Sequence, residues 1–185
     1  FPLYLYHADD SGLGIETREP NLNSGIVARV AEAIGAEPGP LALFDYVYAV
    51  LHAPDYRARF QTFLKSDFPR VPVPSGKAAF KRLAAVGARL RSLHLLEETD
   101  AARGATYPES GGNAVEKIRY GDGRVWISET QYFGNVSGRA WNFIVGGYQP
   151  ACKWLKDRVG RVLAYADIAH YARLVAALDE TAEIM

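Results

Sequence analysis

One cysteine in 185 residues, Cys152, leaves the chain unable to form an internal disulfide and suits a reducing, cytoplasmic setting. Histidine is scarce too. His7, His52, His94 and His170 lie far apart, which excludes a Cys-His zinc finger and any zinc site built on closely spaced ligands, so no metal is expected. Apolar runs fall well short of eighteen residues, so no membrane span is expected. A basic-then-apolar leader with a small-residue cleavage site is missing as well. Gly76–Lys77 lacks the upstream glycine of a phosphate loop, where Val71 stands, and the "GLG" at 12–14 lacks the third glycine of a dinucleotide fingerprint. Neither "HExxH" nor "GxSxG" occurs. The acidic residues show no paired spacing, so a hydrolase built on two carboxylates would have to assemble in three dimensions.

What is present describes a globular chain: 49% hydrophobic residues, 12% aromatic, and a length that suits one domain with a real core. The sequence opens at Phe1 with "FPLYLY", a strand already under way, as expected of an excised fragment, or of a processed N-terminus. Net charge is zero, but its distribution is uneven. Residues 57–91 carry nine Lys/Arg against Asp67 alone, and residues 117–161 carry eight against three acidic residues. The other segments are acidic. Such asymmetry can build a basic face on a neutral molecule, although the same charges could also scatter as solvated helix faces.

Local patterns predict an α+β fold, predominantly helical with a small, mostly antiparallel sheet. Residues 1–6 read as a strand and 7–23 as a polar loop. Ser24 is the expected N-cap of a helix over 25–34 that Gly35 ends. "GPLALFDYVYAVLHAP" (39–54) predicts a helix apolar almost all round, hence buried. Another follows Pro54, with Tyr56, Phe60, Phe63 and Leu64 in one line, and "DFPRVPVPSG" (67–76) must be extended. Over 77–96 an amphipathic helix places Phe80, Leu83, Gly87, Leu90 and His94 on one face, and Lys77, Lys81, Arg82 and Arg89 across the other. Residues 97–113 form a polar connector and a possible internal boundary. "AVEKIRY" and "RVWIS" flank a "GDG" hairpin signal at 121–123, and "TQYF" continues the meander. A short helix in "SGRAWNFIV", one in "ACKWLKDR" and a last one over 165–184 complete the chain.

Phosphate contacts need Lys, Arg and backbone N–H groups, and base readout needs Arg, Asn or Gln able to make two hydrogen bonds. "TQYFGNVSGR" supplies Gln131, Tyr132, Asn135 and Arg139. "YQPACKWLKDRVGR" supplies Gln149, Lys153, Lys156, Arg158 and Arg161. Arg57, Arg70, Lys81, Arg82, Lys117 and Arg119 complete the candidate set. Each has a plain structural alternative: Lys156–Asp157–Arg158 as a solvated charge run, and Tyr132, Trp141, Tyr148 and Trp154 as core. Cys152 has two readings, a nucleophile beside Lys153 or a small buried residue beside Trp154, the second fitting its apolar neighbours better. His52 and His94, within apolar helices, read as satisfied structural histidines.

Three stretches together carry a resemblance: "LFDYVYAVLHAPDYRARFQTFLKSDFPRVPVP" (43–74), "LHLLE" (93–97), and "WNFIVGGYQPACKWLKDRVGR" (141–161) with the helix after it. The chain resembles the C-terminal target-recognition region of type ISP restriction-modification enzymes and related adenine-N6 DNA methyltransferases. The similarity is weakest over 99–130. It implies one target-recognition domain over 1–185 that reads duplex DNA and positions it for catalytic parts elsewhere in a larger polypeptide. It also implies methyltransferase and motor domains as neighbours and S-adenosylmethionine bound by the methyltransferase. Neither "NPPY" nor "DPPY" nor an "FxGxG"-like cofactor loop occurs here, so this chain is expected to hold no cofactor and to catalyse nothing itself. Specificity is expected within 99–140, with base contacts from 112–140. Arg57, Arg70, Lys153, Lys156 and Arg158 would serve phosphate contacts or domain docking. The alternatives are a protein–protein docking module and, with less support, a small independent hydrolase.

Overall fold

The structure, a computed structural model, describes residues 2–7 and 17–185. The Gly12–Leu13–Gly14 segment and most of the expected loop lie outside the described residues. The architecture is α+β, with seven α-helices and two small antiparallel sheets among the described residues. The chain forms two compact units, Phe1–Arg91 and Ser92–Met185, which divide within a helix just ahead of the polar connector.

In Phe1–Arg91, strands β1 (Tyr4–His7) and β2 (Thr17–Pro20) pair antiparallel, with Tyr4 opposite Pro20. Helix α1 (Ser24–Ile34) starts one residue earlier than the sequence suggests, because Asn23 is the cap: its side chain accepts from the Ile26 N–H at 3.1 Å. Gly35 ends the helix at φ 68°. Helix α2 (Pro40–His52) departs from its expected all-round burial: Leu41 and Phe44 are exposed, while Asp45 is buried. Arg91 makes that charge tolerable, donating to both Asp45 oxygens at 2.8 and 3.3 Å. α3 (Pro54–Arg59) and a 3-10 turn (Phe63–Lys65) lead into the extended proline segment. The Tyr46 and Tyr56 hydroxyls hold that segment by donating to the carbonyls of Pro72 and Arg70.

Helix α4 (Lys77–His94) buries Phe80, Leu90 and Leu93 and crosses α2 at Gly87. A Cβ at Gly87 would lie 1.8 Å from the Asp45 carbonyl oxygen, so only glycine permits this approach. Val30, Ile34, Leu43, Tyr46, Val50 and Phe80 form the core of this unit. His94, expected on the buried face, is exposed, with its Nε2 3.3 Å from the Thr181 Oγ1.

In Ser92–Met185, strands β3 (Arg119–Gly121), β4 (Arg124–Trp126) and β5 (Tyr132–Phe133) form an antiparallel meander. The turn between β3 and β4 holds Asp122 and Gly123 at φ 50° and 71°, as a two-residue type I′ turn requires. Helices α5 (Gly138–Asn142) and α6 (Pro150–Lys156) pack with α7 (Tyr165–Ile184), which runs for about 30 Å. The inward-facing Tyr120, Val125 and Phe133 meet Tyr171, Val175 and Leu178 of α7 in the core of this unit.

Candidate nucleic-acid interface

The two-residue turn sets the register of the meander, and the register sorts its side chains by face. Tyr120 pairs with Val125, and Val125 with Phe133, on the core side. Arg119 pairs with Trp126, and Trp126 with Tyr132, on the other side, where alternation also puts Arg124. The Arg119 guanidinium lies 5.5 Å from the Trp126 ring centroid, and that of Arg124 lies 4.9 Å from Tyr132. Trp126 and Tyr132 are themselves 4.6 Å apart. The outer face is therefore an aromatic plate carrying two cations, on a sheet whose inward-facing Val125 and Phe133 are fully buried.

Three of the polar residues expected to read bases are engaged inside the unit. Gln131 is only 3% exposed. Its Oε1 accepts from the Asn113 N–H at 2.8 Å, and its Nε2 donates to the Glu109 carbonyl and to Asn113 Oδ1. It is a brace for the 109–113 loop, because a buried amide must satisfy both its ends. Asn135, at φ 56°, gives its Nδ2 hydrogens to the carbonyls of Ala102 and Gly104. Arg139 donates from Nε and Nη2 to the two oxygens of Asp179, at 3.2 and 2.9 Å. In this structure the three side chains thus spend hydrogen bonds within the unit, Gln131 from a buried position and Asn135 and Arg139 from exposed ones.

Asp179, on α7 and 8% exposed, is a hub. Arg103 Nη1 donates to it at 3.1 Å and Ser137 Oγ at 2.5 Å, and Arg103 also pairs with Glu183. Burial pushes the Asp179 carboxyl up, but the hydrogen bonds from Arg139 and Ser137, with the positive charge of Arg139 and the Arg103 contact, outweigh it and hold the group below its ordinary value. Arg103 is held above its usual range chiefly by its hydrogen bond to Glu183, and Arg139 by its bond to Asp179. Sequence reading missed Asp179 and Arg103 because their partners lie 40 to 80 residues away.

The segment 144–161 divides further. Val145 and Tyr148 close a tight hairpin over Gly146 and Gly147, at φ 56° and 85°. Gln149 is the N-cap residue of α6, without a side-chain capping bond. Lys153 pairs with Asp157 at 2.8 Å, and that hydrogen bond, before the charge of Asp157, raises its pKa. Arg158 lies flat on Trp154, 3.5 Å from the ring centroid, donates to the Trp154 carbonyl, and stands 3.7 Å from Asp167. Lys156 and Arg161 are exposed, and Cys152 is buried and free. On the other unit Arg57, Lys81 and Arg82 are exposed, as is Arg70, which has Asp67 3.8 Å away. Lys117 is exposed at the approach to β3.

Arg124 and Trp126 are members of this outer face that sequence reading passed over. The signal was available: with Asp122–Gly123 as a two-residue turn, Trp126 falls opposite Arg119, and Arg124 shares its face. No group of His, Cys, Asp and Glu able to hold a metal ion occurs among the described residues, and none of their helices is long and apolar enough to cross a membrane.

A search of the curated proteins found no match. Among solved structures, the fold is similar to that in a cryoEM structure of a DrdV–DNA complex (TM-score 0.72, 22% identity, covering 97% of this chain and 20% of that one). It is also similar to the ATP-dependent Type ISP restriction-modification enzyme LlaBIII bound to DNA (TM-score 0.70, 16% identity, 98% and 13% covered). A nuclease-deletion mutant of the Type ISP enzyme LlaGI, in complex with a DNA substrate mimic, gives 0.65 at 19% identity, with 90% and 14% covered. The chain thus spans a fifth or less of the length of these polypeptides, and at such identities the likeness concerns the fold. The profile of the Type ISP C-terminal specificity domain, in contrast, matches residues 1–185 throughout, and the chain belongs to that family.

Proposed function

We propose that this chain recognises a short sequence in double-stranded DNA and positions it for a methyltransferase, and for a motor where one is present, within one larger polypeptide. The observation that carries the reading is the specificity-domain match over the whole chain. Supporting it, the three similar structures were determined with DNA or a DNA mimic. The cationic, aromatic outer face of the meander supplies the chemistry such a role needs. In this reading the chain is a non-catalytic module acting in the cytoplasm. S-adenosylmethionine belongs to the methyltransferase part, outside these residues. The buried position of Cys152 on α6 disfavours the alternative of a cysteine hydrolase.

A second reading applies to Phe1–Arg91. Phe63 and Phe68, 67% and 89% exposed, stand with Tyr56 and Phe60 around a cavity of about 220 Å³. An open aromatic pocket beside Arg70 suits docking against the rest of the same polypeptide. Domain exchange tests the main reading. Residues 1–185 of the full-length protein are replaced by the matching region of LlaBIII or LlaGI, and methylated adenines are mapped. The modified sequence should move with the exchanged segment; an unchanged site would overturn the proposal.

A further inference from the structure

The basic side chains of Ser92–Met185 fall into three kinds. Arg103, Arg139, Lys153 and Arg158 already meet carboxylates. Lys117, Lys156, Arg161 and Arg173 are exposed without a ring or carboxylate partner among the described residues, as a flexible phosphate contact can be. Only Arg119 and Arg124 combine two properties: no carboxylate partner among the described residues, and a guanidinium laid over an aromatic ring. A phosphate accepts a cation from many directions. A base edge demands two donors at fixed spacing and angle, so a reader gains from being held before contact.

The plate holds them in that way. Trp126 and Tyr132 support the two guanidinium groups from below, and the strands beneath are fixed through Val125 and Phe133. The Tyr120 hydroxyl donates to the Val136 carbonyl at 3.1 Å, and the Val136 N–H donates to the Gly123 carbonyl at 2.9 Å, which braces the hairpin end. Strands β3 and β4, about 4.8 Å apart and joined by the Asp122–Gly123 turn, make a two-stranded ribbon with β5 at its side. A major groove about 12 Å wide admits a two-stranded ribbon.

We propose that the outer face of β3–β5 is the base-reading surface of this domain, with Arg124 and Arg119 as specificity-determining residues that each address the edge of a guanine in the major groove. Guanine is the partner because its O6 and N7 are both acceptors, matching a fork that only donates. The aromatic plate acts as a positioning element and carries no base preference itself. The inference rests on the proposed DNA recognition and assigns its residues.

The test is selection from randomised duplexes by the full-length polypeptide, comparing wild type with Arg124→Lys, Arg124→Gln and Arg119→Lys. Lysine keeps the charge and loses the fork. Wild type should enrich a sequence with guanine at fixed positions. Each arginine variant should lose discrimination at one of them by about 5- to 150-fold while still binding random duplex. Lys156→Ala is the comparison for a charge lost evenly across all sequences. Uniform weakening by the Arg124 variants would mark a phosphate contact, and an unchanged preference would mark a bystander; either result overturns the assignment and leaves DNA recognition by the domain standing. A wild-type protein with no sequence preference would overturn the recognition reading, and this assignment with it. Unfolding midpoints matching wild type would show that the exposed substitutions leave the fold intact.

Discussion

Two arginine pairs in Ser92–Met185 put the same side chain to opposite uses. Arg103 and Arg139 converge on Asp179, a carboxylate that α7 holds out of water, and together with Ser137 they tie the connector and α5 to that helix. Arg119 and Arg124 rest on Trp126 and Tyr132 and meet no carboxylate among the described residues. In the first pair the fork is engaged by carboxylates and the charge offset. In the second the ring supports the cation from one side and leaves its donors pointing elsewhere. A count of basic residues along the chain cannot separate these cases, because the difference lies in which partner the fold brings within reach. An arginine beside a buried acid serves stability, and one on an open aromatic plate remains available to a ligand.

The sharpest way to break this contrast is to remove the acid. Asp179→Ala should destabilise the protein by about 2 to 3 kcal/mol, since it removes the shared carboxylate that accepts from Ser137, Arg103 and Arg139. Urea unfolding midpoints would measure it, and a loss below 1 kcal/mol would demote the hub to an ordinary surface network. Gln131→Ala comes next, at about 2 kcal/mol, because it strands the Asn113 N–H and the Glu109 carbonyl. In duplex selection by the full-length protein the same variant should keep the wild-type base preference, which separates a brace from a reader.

Acid should act more gently, through the hub. The folded Asp179 pKa lies below its unfolded value, so its contribution is present above the ordinary aspartate range near 3.9 and is lost as pH falls through the lower folded value. Unfolding midpoints followed downward from pH 5 should decline, and Asp179→Asn should remove that part of the decline. The smallest effect belongs to the plate. Arg119→Ala should change stability by no more than about 0.5 kcal/mol, within the range of exposed substitutions. A larger loss would mean that Arg119 serves the fold, as Arg139 does.

Much of the fold was legible in local patterns. Gly35 as a helix end, Pro40 and Pro54 at helix starts, the turn at Asp122–Gly123 and the stripe Tyr171–Val175–Leu178 all appear where spacing and turn chemistry put them. The cap of α1 moved from Ser24 to Asn23 because either residue can bond the first turn and the backbone entry angle decides between them. Asp45 read as a polar interruption of an apolar helix, and its burial depends on Arg91, 46 positions on. The site was less legible. Gln131, Asn135 and Arg139 have the right chemistry for base contacts, but loops and helices distant in sequence take up their hydrogen bonds. Arg124 and Trp126 could have been found by counting alternation outward from the turn.

The sequence by itself determined the elements, the turn that registers the meander and, through its motifs, the family, because periodicity, caps and tight turns depend on neighbours a few positions apart. Only the tertiary structure decided which cations are neutralised and which stay open. An ion pair or a cation–ring contact is a matter of a few ångströms between residues up to 80 positions apart, and burial sets how strongly each charge requires a partner.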